Sequence, residues 1–200
     1  MRTRKKVAAL AGAPLLAIVV SLTLAGCVQP SPPVIPTSAS SSKPVFASDA
    51  EALAAAKKAY VAYLAVSDDI GADGGVNANR LAPVVSKTWL PTELKSYTAF
   101  AESGDKTTGS SRVGRFTLEQ RDQSPNGLVS IVAYACLDLS AAGVVDGGGS
   151  VVSETGAQGV LPLEVSFVGV SENSAHLILD RSAPWSGQDF CGAQSPSPSS

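Results

Sequence analysis

The chain has 200 residues, 44% of them hydrophobic, with 15 Lys and Arg against 17 Asp and Glu, one His and three Cys. A formal charge of −2, with no run of bases beyond the first six residues, excludes the electrostatic footprint of a nucleic-acid binder. A single histidine likewise excludes a multi-histidine metal site.

Arg2, Arg4, Lys5 and Lys6 form a positive start that stays on the cytoplasmic side of a membrane. Val7 to Leu24 carries no charge and is mostly Ala, Leu, Ile and Val, so it can enter a bilayer as a helix. It closes on Leu24-Ala25-Gly26-Cys27, which resembles the lipobox of bacterial lipoproteins. That resemblance implies cleavage ahead of Cys27, with the lipidated cysteine as the mature N-terminus. An uncleaved membrane anchor and an ordinary secretory signal are the competing readings, and both also put the remainder outside the cytoplasm. Four of the bases and none of the acids precede Cys27, so the chain from Cys27 onward carries 11 bases, 17 acids and a net charge of −6.

Residues 27–47 contain Gln-Pro-Ser-Pro-Pro, Ile-Pro-Thr and a serine run, a composition that favours an extended tether. Residues 194–200 share it and read as a disordered tail. One domain is expected between them, over 48–193, which is long enough to bury a core.

Ser48 followed by Glu51 predicts a capping box, with Asp49 at the positive end of the helix dipole. Leu53, Ala56, Tyr60 and Leu64 then recur at helical spacing, and the helix should fail around Asp68-Asp69-Ile70-Gly71. A Gly/Asn-rich loop leads to a short helical turn near Arg80 to Val85. Pro91 opens a further helix with Leu94, Tyr97, Thr98 and Ala101 facing inward and Gly104 as its stop. From Ser111 the period changes to alternation. Strands are expected over 111–122, 128–139, 163–167 and 175–180, with a small hairpin extension around Asp146-Gly147-Gly148-Gly149. Ile131, Ala133, Ala135 and Leu137 oppose Val132, Tyr134 and Cys136, so both faces of that strand are apolar and it should be central. Helices first and an antiparallel meander after them predict an α+β domain, with the helices packed on one face of the sheet.

A long capped helix, two shorter ones and a curled antiparallel sheet resemble the nuclear transport factor two-like, or cystatin-like cone, fold. Tyr60-Val61-Ala62-Tyr63, Arg80-Leu81-Ala82-Pro83 and Trp185-Ser186-Gly187-Gln188-Asp189-Phe190-Cys191 are similar to stretches in actinobacterial lipoproteins of unknown function. The resemblance implies a cone-like sheet and brings no catalytic residues, since the fold hosts isomerases and non-catalytic modules alike.

With Cys27 assigned to lipid, Cys136 and Cys191 form an even pair in an oxidising compartment, and a disulfide is expected. A reactive thiol is the competing reading, but no neighbouring His or basic cluster argues for one. His176 is predicted on a strand, as a surface or hydrogen-bonded residue rather than a base. Ser103-Gly104-Asp105-Lys106 matches Ser-x-x-Lys but lacks the companion elements of serine acyl enzymes, and Asp68, Asp69 and Asp73 lack calcium-loop spacing. Neither a metal nor a cofactor is expected. Trp89, Tyr97, Tyr134, His176 and Trp185 are the candidates to line an apolar pocket on the concave sheet face, with core filling as the alternative. The expected function is a lipid-anchored, non-catalytic binding or accessory module of the cell envelope. Its partners would be the membrane, through the lipid on Cys27, and an envelope protein or small apolar ligand. The alternative is a small isomerase- or hydrolase-like enzyme using a carboxylate in the cone pocket.

Overall fold

A computed structural model describes residues 43–153 and 159–192. The signal segment, Cys27, most of the tether and the 194–200 tail lie outside the described residues. The fold is α+β, with helices packed against a curled antiparallel sheet.

Helix α1 (Asp49–Ala72) starts where Ser48 places it: the Ser48 hydroxyl accepts from the Glu51 N–H at 3.2 Å, and the Glu51 carboxylate reaches back to the Ala47 N–H at 2.8 Å. Two otherwise orphaned donors are thereby satisfied at the helix start. Ala52, Ala56, Tyr60, Leu64 and Ile70 are buried, so the inward stripe begins at Ala52 rather than Leu53, which is half-buried. The helix also outlasts its expected end at 68–71. Packing explains this: Ile70 is fully buried, and Gly71 lies so close to Thr107 that a Cβ there would collide with it. Asp68, which reads as a breaker, accepts from the Ser111 N–H (2.8 Å) and hydroxyl (2.7 Å) and ties the last turn to the sheet.

The tether reading of 27–47 needs correction at its C-terminal end. Phe46 is a core residue, Val45 donates to the Gln123 side chain at 2.9 Å, and Arg121 donates to the Phe46 carbonyl. A phenylalanine among prolines and serines still buries when a strand end is there to receive it.

A 3-10 turn (Ala78–Leu81) and α2 (Leu90–Ser103) come next, the latter closed by Gly104 in the left-handed region at φ 74°. The expected inward face of α2 is corrected too. Thr98 and Ala101 are exposed, Leu94 and Tyr97 are half-buried, and no α2 residue is fully buried. α2 flanks the core beside α1 instead of lying under it.

The strands are β1 (Lys106–Gly109), β2 (Arg112–Gln123), β3 (Val129–Asp138), β4 (Ala142–Val145), β5 (Val151–Ser153), β6 (Val160–Gly169) and β7 (Leu177–Pro184). One sheet runs β2-β3-β6-β7 and the other β1-β4-β5, all antiparallel. The β1–β4 pair continues the β2–β3 pair beyond a kink. Gly109 faces Ala142 and Arg112 faces Asp138, so Ser110-Ser111 oppose the three residues Leu139-Ser140-Ala141. That mismatch bends the ribbon. Gly109 makes the bend close: its φ is 73°, and a Cβ would strike the Ala141 carbonyl. β1 was not expected from sequence, and the hairpin of β4 and β5 belongs to this second sheet.

The core lies between α1 and the inner sheet face. Tyr60 stacks on Phe116 at 6.0 Å and meets Phe167 edge-on at 6.3 Å, with Ile131, Ala133, Val165 and Leu179 around them. β3 is central, as its two apolar faces require.

Candidate functional site

The structure divides the five sequence-predicted pocket residues among three places: Trp89 and Tyr97 beside α1, Tyr134 and Trp185 on the outer sheet face, and His176 just before β7. The inner sheet face, where an apolar pocket was expected, is filled by Tyr60, Phe116 and Phe167. The pocket-lining expectation is therefore corrected. Other large side chains fill that face, and of the five candidates only Trp89 and Tyr97 pack against the core, partly buried.

Trp89 and Tyr97 lie in the seam between α1 and α2, around Glu93. The Trp89 indole N–H donates to Glu93 Oε1 at 2.8 Å, and the Tyr63 hydroxyl donates to the same carboxylate at 3.3 Å. One turn along, the Ser67 and Tyr97 hydroxyl oxygens are 2.5 Å apart, and Tyr97 also donates to the Ser67 carbonyl. Burial pushes the Tyr63 phenol far above the ordinary tyrosine range, and the Glu93 charge adds to it. Burial raises Tyr97 as well, against the opposing hydrogen bond with Ser67. Glu93 is the residue that sequence reasoning missed. A glutamate in the first turn of a helix reads as a dipole partner, and only the spacing Trp89–Glu93, one helical turn, hinted at more.

Tyr134 and Trp185 sit on the opposite face of the sheet. Cys136 is bonded to Cys191 there, with Cα atoms 5.6 Å apart, and the strap Trp185–Cys191 crosses the outer face of β3. Tyr134 packs edge-on against Trp185 at 4.8 Å and against Phe190 at 5.4 Å. The Trp185 N–H donates to the Pro162 carbonyl at 2.9 Å, and Arg115 donates to the Phe190 carbonyl at 2.6 Å. A hydrogen bond to Glu119 pushes the Tyr134 phenol up to about 12.

His176 precedes β7 rather than lying within a strand, and it is exposed. It borders a depression of about 360 Å³ between α1 and the start of β7, beside Lys58 and Ile178. A second groove of about 630 Å³ runs between α1 and the 109–113 kink. Ser103 donates to the Phe100 carbonyl at 2.7 Å and so serves its helix end. Asp73 pairs with Arg80 at 2.6 Å. Among the described residues, no three His, Cys, Asp or Glu side chains converge as a metal site, and no helix is long and apolar enough to cross a membrane.

No family model and no curated protein matches the chain. Among solved structures it is similar to a periplasmic fragment of TraM, at 11% identity and a TM-score of 0.45, over 68% of this chain and 96% of that one. It is also similar to the intermembrane space region of the chloroplast protein ARC6, at 10% identity and a TM-score of 0.39, over 66% of this chain and 95% of that one.

Proposed function

We propose that this chain is a lipid-tethered extracytoplasmic domain of the cell envelope, working as a non-catalytic binding or accessory module. The observation that carries the reading is the Cys136–Cys191 bond across the outer sheet face. A bond of this kind persists in an oxidising compartment, and the chain bearing it opens with a basic, apolar leader ending at Cys27. Two acyl chains on Cys27, at about 0.8 kcal/mol per buried methylene, hold a protein stably where one would not. The long capped helix on a curled sheet supports a cone-like, nuclear transport factor two-like reading of the fold.

An isomerase- or hydrolase-like enzyme would need a carboxylate facing an open inner sheet face. That face is filled by aromatic rings, and Glu93 stands in the helix seam with its oxygens engaged by Trp89 and Tyr63. A filled inner face also favours a protein partner met on the outer surface over a small apolar ligand enclosed within. Intact cells expressing the full chain, treated with external protease, test the location. Digestion without lysis, of a chain that fractionates with membranes, is expected; resistance until lysis overturns the reading.

A further inference from the structure

Helix α1 carries a narrow stripe of small apolar residues on the side away from the sheet. Its buried stripe faces the sheet, and the opposite side presents Ala54, Val61, Ala65 and Ala72 to solvent, with Val61 48% exposed. The charges beside this stripe are Lys57 and Lys58 on the N-terminal half and Asp68 and Asp69 on the C-terminal half; Glu51, in the first turn, is exposed on the same side, and its carboxylate accepts from the Ala47 N–H. Lys57, Lys58 and Asp69 form no ion pair among the described residues.

We infer that this face pairs with the same face of a second copy of the chain, α1 against α1, antiparallel about a two-fold axis at the level of residue 63. The sequence is self-complementary about that point. Ala54 falls opposite the partner subunit's Ala72, and Val61 opposite the partner subunit's Ala65. At about 100° per residue, Lys58 and Asp69 lie on one flank of the stripe and Lys57 and Asp68 on the other. A two-fold axis keeps each flank on its own side, so Lys58 meets the partner subunit's Asp69 and Lys57 meets the partner subunit's Asp68. Asp68 retains acceptor capacity beyond its two bonds to Ser111. Parallel pairing would set lysine against lysine and aspartate against aspartate, so the charges choose the direction.

Small side chains let two such helices approach to about 8 Å. The 24-residue helix gives a contact about 36 Å long. The area buried would be on the order of 1,000 Å², at the small end of specific interfaces. An interface of that size belongs with weak, transient contacts, so the dimer is to be sought at chain concentrations up to about 100 µM. The groove beside α1, which Lys57, Val61, Ala65 and Asp68 line, offers room for the partner subunit's longer side chains.

The test uses two differently tagged full-length chains co-expressed in cells, one carrying Ala54→Cys and the other Ala72→Cys, with the unsubstituted pair as background for the native cysteines. A mixed disulfide well above background is expected. Ala54→Cys paired with Ala54→Cys should give none, since those positions would be about 27 Å apart along the axis. Lys58→Glu should weaken dimerisation roughly tenfold, because it reverses two symmetric ion pairs, and Lys58→Glu/Asp69→Lys should restore it. Sedimentation of the unsubstituted full chain in detergent gives a reading free of any folding effect of substitution. A chain that stays monomeric at about 100 µM, a dominant Ala54→Cys self-crosslink, or failure of the double charge swap to rescue overturns the proposal.

Discussion

Removing the Cys136–Cys191 bond should cost this domain more than any single surface change. The bond closes a loop of sequence separation 55, which in the chain-entropy treatment restricts the denatured ensemble by about 4 kcal/mol at 25 °C. Cys136 is 3% exposed, so alanine at both positions removes the link without leaving a buried polar group. The strap would keep its backbone bond to Pro162, its Arg115 contact and its aromatic packing on Tyr134, so native contacts change little. Cys136→Ala/Cys191→Ala should therefore lower unfolding free energy by about 3–4 kcal/mol and Tm by roughly 8–15 °C. The assay is urea unfolding followed by circular dichroism, alongside the same measurement on unsubstituted protein. The denaturant slope should rise as well, because an unlinked denatured chain exposes more surface. A loss below about 1 kcal/mol with an unchanged slope would refute the reasoning, since it would mean that the strap does not constrain the chain.

The core and the phenols give two further expected outcomes. Phe167→Ala should cost about 3–5 kcal/mol in the same assay, because the ring is fully buried between Tyr60 and Phe116; a cost below about 1.5 kcal/mol would mean that the inner face is not packed as described. Burial raises Tyr60, Tyr63 and Tyr97, and a hydrogen bond to Glu119 raises Tyr134, so all four tyrosines ionise above their ordinary value in the folded chain. The folded state then holds these protons more tightly than the unfolded one. Their contribution to stability is complete below about pH 10 and is lost as pH rises beyond it. Phenolate absorbance should appear mainly with alkaline unfolding, and Glu119→Ala should bring Tyr134 down toward the ordinary range. Four tyrosines titrating near pH 10 with the fold intact would contradict this.

Local chemistry was legible in the sequence where it acts over one turn or one strand. Ser48 with Glu51, Gly104 as a helix stop, and the two apolar faces of β3 each specify their structure without help from afar. What escaped was set by distant partners. Lys106-Thr107-Thr108-Gly109 has no apolar alternation, and it becomes a strand only because β4 returns to pair with it. The last turn of α1 contains Asp and Gly, yet Ile70 burial and the Asp68–Ser111 bonds hold it helical. Phe46 lay hidden in a Pro/Ser context until the end of β2 received it. The candidate site was the least legible part. The aromatic residues were found, but periodicity cannot say which side of a sheet or which helix seam each will occupy, and Glu93 accepts from Tyr63, 30 residues away on another helix.

The proposed function stands or falls with attachment of an extracytoplasmic domain through Cys27. Feeding cells an alkynyl fatty acid and measuring the intact mass of the purified chain would decide it. The expected product is a labelled chain beginning at Cys27 and carrying a diacylglyceryl mass, with Cys27→Ala unlabelled and unprocessed. A full-length chain that is unlabelled, or a Cys27→Ala chain labelled and processed as before, would contradict that attachment.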